Sequence, residues 1–225
     1  MNLDEQQATL NLPGLRLPWK TTLAIIISTL LLTTDHYVDI VSNLLSDDAF
    51  GKVVRDKAVE RVGLYLLIPL LVIALVFRER PAAYGFSLGD WRAGLKWTLV
   101  TWAIAAPVLY LAGRTPDMAA YYVRYEQPFA GILLNAALEL IGWEFLFRGF
   151  LLFALYRVAG PSAIVLQAVP FALAHLGKPA LETFSTIFGG TLFGWVAWRA
   201  RSFLYAFLIH WYVSVFVVLV ALAAR

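Results

Sequence analysis

The chain has 225 residues, 60% of them hydrophobic and 15% charged, with a mean hydropathy of +0.72 and a formal net charge of +3. Soluble domains have about a quarter of their residues charged and under half apolar, so this composition excludes an ordinary soluble globule and points to a polytopic helical membrane protein. The sequence holds no cysteine, which excludes disulfides, thiolate catalysis and cysteine metal sites, and its small, scattered positive charge excludes a nucleic-acid surface.

The opening "MNLDEQQATL" is polar and acidic, with no small-residue cleavage site before the first apolar run. Residues 1–18 are therefore expected to be a cytoplasmic segment and not a removable signal peptide. Seven apolar stretches follow. The first covers about 19–41, centred on "LAIIISTLLLTT", and the connector "LLSDDAFGKVVRDKAVERVG" has the mixed charge of a surface helix. "LYLLIPLLVIALVF" is the second span. The turn-rich "RERPAAYGFSLGDWRAGLK" leads to the third at about 93–111, and the polar "GRTPDMAAYYVRYEQP" leads to a long fourth helix at about 129–158. "AGPS" breaks it. Spans five, six and seven cover about 163–176, 181–198 and 203–223, so residues 19–225 form one all-α transmembrane bundle of about seven spans.

Threading seven spans puts Arg16, Lys20, Arg78, Arg80, Arg92, Lys96, Arg157, Arg199 and Arg201 on one side. Asp47, Asp48, Asp56, Glu60, Asp117 and Glu126 fall on the other, mixed with Lys52, Arg55, Lys57 and Arg61. Positive residues favour the inside, so the expectation is a multi-pass protein of the cell's inner (plasma) membrane with a cytoplasmic N-terminus. Trp19 and Trp91 fit an aromatic belt, and Asp35, His36 and Asp39 read as interfacial groups near the outer end of span one.

An ionisable side chain inside a span is costly, and its presence is a functional hypothesis. Four stand out: Glu144 and Arg148 on span four, His175 at the end of span five and His210 in span seven. Each has a same-face neighbour one turn away: Glu144 with Arg148, Phe171 with His175, and Ser214 with His210. At about 1.5 Å rise per residue, all three elements carry these groups to the middle of the bilayer, so one shared polar cavity is geometrically open to them. A carboxylate held ionised by a cation can act as a base on water, one histidine can orient that water, and another with a hydroxyl can stabilise an oxyanion. One Glu with two His also matches zinc ligand sets, so a divalent metal stays open as the competing reading. The bland alternatives are a neutralising Glu–Arg pair and helix-packing histidines.

These residues, in this order, resemble the CPBP family, which includes type II CAAX prenyl proteases and bacteriocin-processing or self-immunity membrane proteins. "WEFLFRG" at 143–149 is similar to that family's EExxxR motif, "FALAH" at 171–175 to its FxxxH, and "HWYVS" at 210–214 to its final HxxxN. The resemblance covers about residues 81–217. It implies a bundle of transmembrane helices with a membrane-embedded cavity, and an intramembrane glutamic-type endopeptidase that needs no cofactor and acts on a membrane-associated protein or peptide. The implied roles are Glu144 as acid/base, Arg148 holding it ionised, His175 orienting water, and His210 with Ser214 stabilising the oxyanion. Two positions depart from the pattern. Trp143 stands where the family has its first glutamate, usually regarded as the base, and Ser214 replaces the amide. Glu182, in the first turn of span six, and Glu139, five residues before Glu144, are the candidate accessory acids, and Gly142 is where the helix could distort. Trp143 also motivates the rival reading, a catalytically impaired relative acting in immunity or as a binding partner. A protonatable Glu/His relay in a small transporter is a third.

Overall fold

The computed structural model describes residues 9–41 and 56–224. Residues 1–8 and the charged part of the connector, with Asp47, Asp48, Lys52 and Arg55, lie outside the described residues. The helices are α1 (Trp19–Tyr37), α2 (Asp56–Val76), α3 (Trp91–Gly113), α4 (Pro116–Tyr122), α5 (129–159), α6 (163–173), α7 (Ala180–Ala200) and α8 (Leu204–Ala223). Every predicted span corresponds to a helix. Among the described residues, four helical stretches are long and apolar enough to cross a membrane: Asp56–Val76, Trp91–Gly113, Phe129–Leu173 and Leu204–Ala223. These four do not confirm the count of seven. Gly160, at φ 53° and ψ −139°, interrupts the 45-residue stretch Phe129–Leu173 between α5 and α6. Helix α6 is only about 16 Å long at the usual rise, too short to cross alone.

The outer faces of the helices are apolar. Ile25, Ile26 and Leu30 on α1, Leu67, Leu71 and Leu75 on α2, and Leu99, Ile104, Val108 and Leu111 on α3 are all exposed. Apolar side chains in such rows suit lipid and not water, and the chain is a membrane protein. Helix α8 is the central element of the second half, packed on α3, α4, α5 and α7, while α2 lies along α5.

One difference concerns residues 9–18. Thr9–Leu12 and Leu15–Pro18 pair as an antiparallel hairpin ahead of α1. The cause is readable: leucines alternate on both sides of Pro13–Gly14, and Gly14 at φ 73° supplies the positive φ that a Pro-Gly turn requires.

Two helices widen locally. Within α2, Gly63–Leu67 and Val72–Val76 form π-turns on either side of Pro69. Proline has no N–H for the ladder, and a wider turn absorbs that loss. In α5 the seven residues Phe145–Leu151 are a π-segment immediately after Glu144, so the wound-out part of the helix is the motif itself. Gly142 lies before the widening. A Cβ there would stand 2.5 Å from the carbonyl oxygen of Arg61, so glycine is needed for the close approach of α2 to α5.

Three ends that the threading placed on one side meet at Glu79. Its carboxylate accepts from Lys20 at 2.5 Å, from both Arg157 Nη atoms at 2.8 Å and from the Tyr84 hydroxyl at 2.7 Å. Partial burial acts to raise the Glu79 pKa, and hydrogen bonds from Arg157, Lys20 and Tyr84 outweigh it, holding the group at about 2.

Asp35 corrects the sequence reading. It is not an interfacial group in water: its side chain is buried and gripped by Lys57 at 3.3 Å and Arg61 at 3.2 Å. His36 and Asp39 are exposed, as expected.

Candidate active site

Glu144 and Arg148 are both fully buried, and Arg148 Nη1 donates to Glu144 Oε1 at 3.2 Å. Two ions in an apolar interior require satisfied geometry, and the surroundings supply part of it. The Arg148 guanidinium stacks over Phe171, 3.8 Å from the ring centre, and Nη2 donates to Gly190 O at 3.4 Å. On the other side, His210 Nδ1 lies 2.6 Å from the same Glu144 Oε1. A carboxylate that already accepts from the arginine accepts here too, so His210 donates from Nδ1, and in the neutral imidazole Nε2 is the acceptor.

His175 follows the end of α6. Its Nδ1 lies 2.8 Å from Phe171 O, a carbonyl that only accepts, so Nδ1 donates and in the neutral imidazole Nε2 is again the acceptor. The His175 carbonyl accepts from Thr183 Oγ1 at 2.8 Å, which ties the turn to the first turns of α7. The two rings are 6.4 Å apart between centres. Phe171 organises both. Its ring is 4.5 Å from His175 and 5.7 Å from His210, while its opposite neighbour is the Arg148 cation.

A cavity of about 600 Å³ opens against this cluster, walled by α3, α4, α5, α7 and α8. His175, His210 and Ser214 line it, as do Trp143, Glu139 and Glu182. Glu144 and Arg148 do not: the carboxylate meets His210 as expected but lies behind it, away from the cavity wall. A neutral imidazole whose N–H is spent on Glu144 has an acceptor left for the cavity.

The accessory acids are both engaged. Glu182 sits in the first turn of α7 and accepts from Tyr122 at 2.6 Å and Lys178 at 2.7 Å. Glu139 pairs with Arg61 of α2 at 3.0 Å, not with Arg148. Arg61 also lies 5.3 Å from the ring of Trp143, linking the Asp35 cluster to the cavity wall. Trp143 itself packs on Tyr65, Phe147 and His175, with ring separations of 5.4, 5.3 and 6.1 Å, and its buried Nε1 has no hydrogen-bond partner among the described residues.

Sequence reasoning missed Gln167. It is fully buried in α6, and its amide donates to Ile164 O at 2.7 Å and to Gly190 O at 2.9 Å, the carbonyl that Arg148 also uses. A Cβ at Gly194 would stand 2.4 Å from Gln167 Nε2, so the bare face of α7 makes room for it. The signal was a lone amide in "AIVLQAVPF", one turn before Phe171. Among the described residues, no three His, Asp or Glu side chains gather to hold a metal ion.

Residues 125–216 match the family model described as type II CAAX prenyl endopeptidase Rce1-like. No curated protein and no solved structure matches the chain. The matched stretch contains all three motifs and the side chains that line the cavity from α5, α6 and α7, with those of α8 up to Ser214; Val217 and Val218 lie just beyond it. The part of the helical core that carries this site is therefore similar to the Rce1-like type II CAAX prenyl endopeptidases of the CPBP family.

Proposed function

We propose that the chain is an intramembrane endopeptidase in which His210, set by Glu144, is the base that activates water. The observation that carries this reading is the 2.6 Å contact from His210 Nδ1 to a carboxylate buried behind it, with the ring on the cavity wall. Water in the cavity gives a proton to His210 Nε2 and its oxygen attacks the peptide carbonyl carbon. The bare Nε2 of His175 accepts the water's second hydrogen and orients it. The Ser214 hydroxyl, one turn beyond His210 on the cavity wall, donates to the developing oxyanion. As the tetrahedral intermediate collapses, the C–N bond breaks and the His210 proton passes to the leaving amine. Glu144 stabilises the transient imidazolium, as a carboxylate behind a histidine does in serine hydrolases, and Arg148 fixes the carboxylate. Ala105, Val108, Leu109 and Leu192 make part of the cavity lining apolar, which suits a membrane-embedded or lipid-modified peptide segment.

Trp143 favours a second reading, a protein that holds such a peptide without cutting it, because an indole N–H has no lone pair with which to take a proton from water. The purified protein in liposomes, incubated with membrane-peptide libraries and read by mass spectrometry, separates the two. Cleavage that disappears in His210→Ala and Glu144→Gln supports the first reading, and cleavage unchanged in both sinks it. Peptide retained intact by the unaltered protein supports the second.

A further inference from the structure

The hairpin before α1 has two unlike faces. In its register Leu10 pairs with Leu17 and Leu12 with Leu15, while Asn11 pairs with Arg16 and Thr9 with Pro18. Directly paired residues of an antiparallel ladder project to the same side, as do residues two apart along a strand. All four leucines therefore share one face, and Thr9, Asn11, Arg16 and Pro18 share the other. Leu10, Leu12 and Leu15 are 50%, 47% and 49% exposed. A lone two-stranded hairpin is marginal in water, so something must cover its leucines.

We propose that the cover is the bilayer: the hairpin lies in the lipid–water boundary with its leucine face turned into the membrane. Its position argues for lipid. Pro18 ends the second strand and is also the residue from which α1 starts, so no linker separates the hairpin from a helix whose outward face is Ile25, Ile26 and Leu30. The four leucines are thereby held directly beside a helix whose outward side chains suit lipid. Trp19, at the junction, belongs to the residue type that settles at such boundaries, and Arg16 on the polar face is exposed and suited to anionic headgroups. The hairpin thereby sets the depth of α1, whose Thr21 hydroxyl donates to Ala154 O at 2.8 Å near the end of α5.

The cysteine-free sequence makes the test direct. Single variants Leu12→Cys, Leu15→Cys, Asn11→Cys and Arg16→Cys of the full chain are labelled with an environment-sensitive fluorophore. They are then placed in phosphatidylcholine liposomes with or without phosphatidylglycerol. Labels at 12 and 15 are expected to emit blue-shifted light and to lose most of it to nitroxide-bearing lipids, while labels at 11 and 16 stay water-like. A larger shift at 12 and 15 with phosphatidylglycerol assigns anionic headgroups to Arg16, and an equal shift assigns the insertion to the leucines alone. Water-like emission at all four positions overturns the proposal. So does equal protection of both faces, or protection at 12 and 15 that lipid nitroxides leave unquenched, which would mean a protein cover such as a second copy.

Discussion

His210 Nδ1 stands 2.6 Å from Glu144 Oε1, and this one contact joins α8 to α5 at the point where α5 winds out into its π-segment. The carboxylate is fully buried and Arg148 shares the same oxygen. Glu144 thus answers for two properties, the orientation of an imidazole and the neutralisation of a buried cation, and substitutions can separate them. Glu144→Gln keeps the shape but offers Arg148 no charge. Breaking a buried pair by removing one partner costs about 3–5 kcal/mol, so its melting temperature should fall well below that of the unaltered protein. Cleavage should fall by roughly 10²–10⁴-fold. The double variant Glu144→Leu/Arg148→Met removes both ions, should recover much of the lost stability, and should remain inactive. A double variant that cleaves would show that the pair is structural alone.

Trp143 lines the cavity beside His175 and occupies the place where the family resemblance puts a glutamate. A carboxylate there would stand next to the Arg61 cation and supply the acceptor that indole lacks. Trp143→Glu is therefore expected to restore cleavage in the His210→Ala background, where His210→Ala alone has none. Truncating a buried aromatic leaves a void that costs on the order of 3 kcal/mol, so the rescue should come with a lower melting temperature. No recovery in a variant that remains folded would show that position 143 does not reach the substrate.

The convergence of Glu144, His175 and His210 was legible because membrane burial makes each polar group conspicuous and because their depths agree. The Glu144–Arg148 pair follows from four-residue spacing, and the helix ends from Pro, Gly and charge. What escaped depends on tertiary packing. Nothing local in "FLFRGFL" announces a π-turn; within it, Gly149 leaves room for the Phe145 ring and the Tyr84 carbonyl. Arg61 looked like a misplaced surface charge, since its partners Asp35 and Glu139 lie 26 and 78 positions away. Gln167 and the Pro13–Gly14 hairpin were visible in the residues but are short, and short signals are outweighed by the long apolar runs around them.

Gly142 offers a test of how closely α2 must approach the motif helix. A methyl group there meets the backbone oxygen of Arg61 at 2.5 Å and Tyr65 Cβ at 3.2 Å. Backbone cannot rotate aside as a side chain can, so Gly142→Ala must push the two helices apart. Overpacking of this kind costs about 1–3 kcal/mol. The displacement also carries Arg61 away from Glu139 and Trp143, so substrate affinity should weaken more than turnover. A variant with unchanged melting and KM would mean that α2 adjusts without disturbing the cavity.

The Glu79 cluster predicts how stability follows pH, because it lies in the loop after α2 and not in a span. Its folded-state pKa of about 2 is below the ordinary value of 4.5, so the folded protein releases the proton more readily than the unfolded chain. The sign follows from linkage: the contribution is fully present above about 4.5 and is lost as pH falls towards 2. Glu79→Gln keeps the size of the side chain but presents a neutral amide to Lys20 and Arg157. Its melting temperature should lie below that of the unaltered protein at neutral pH, and the gap should close as pH falls through that window. Parallel melting curves for the two proteins from pH 7 down to the acid limit would show that the clasp contributes nothing to holding α1 and α5 at this end of the bundle.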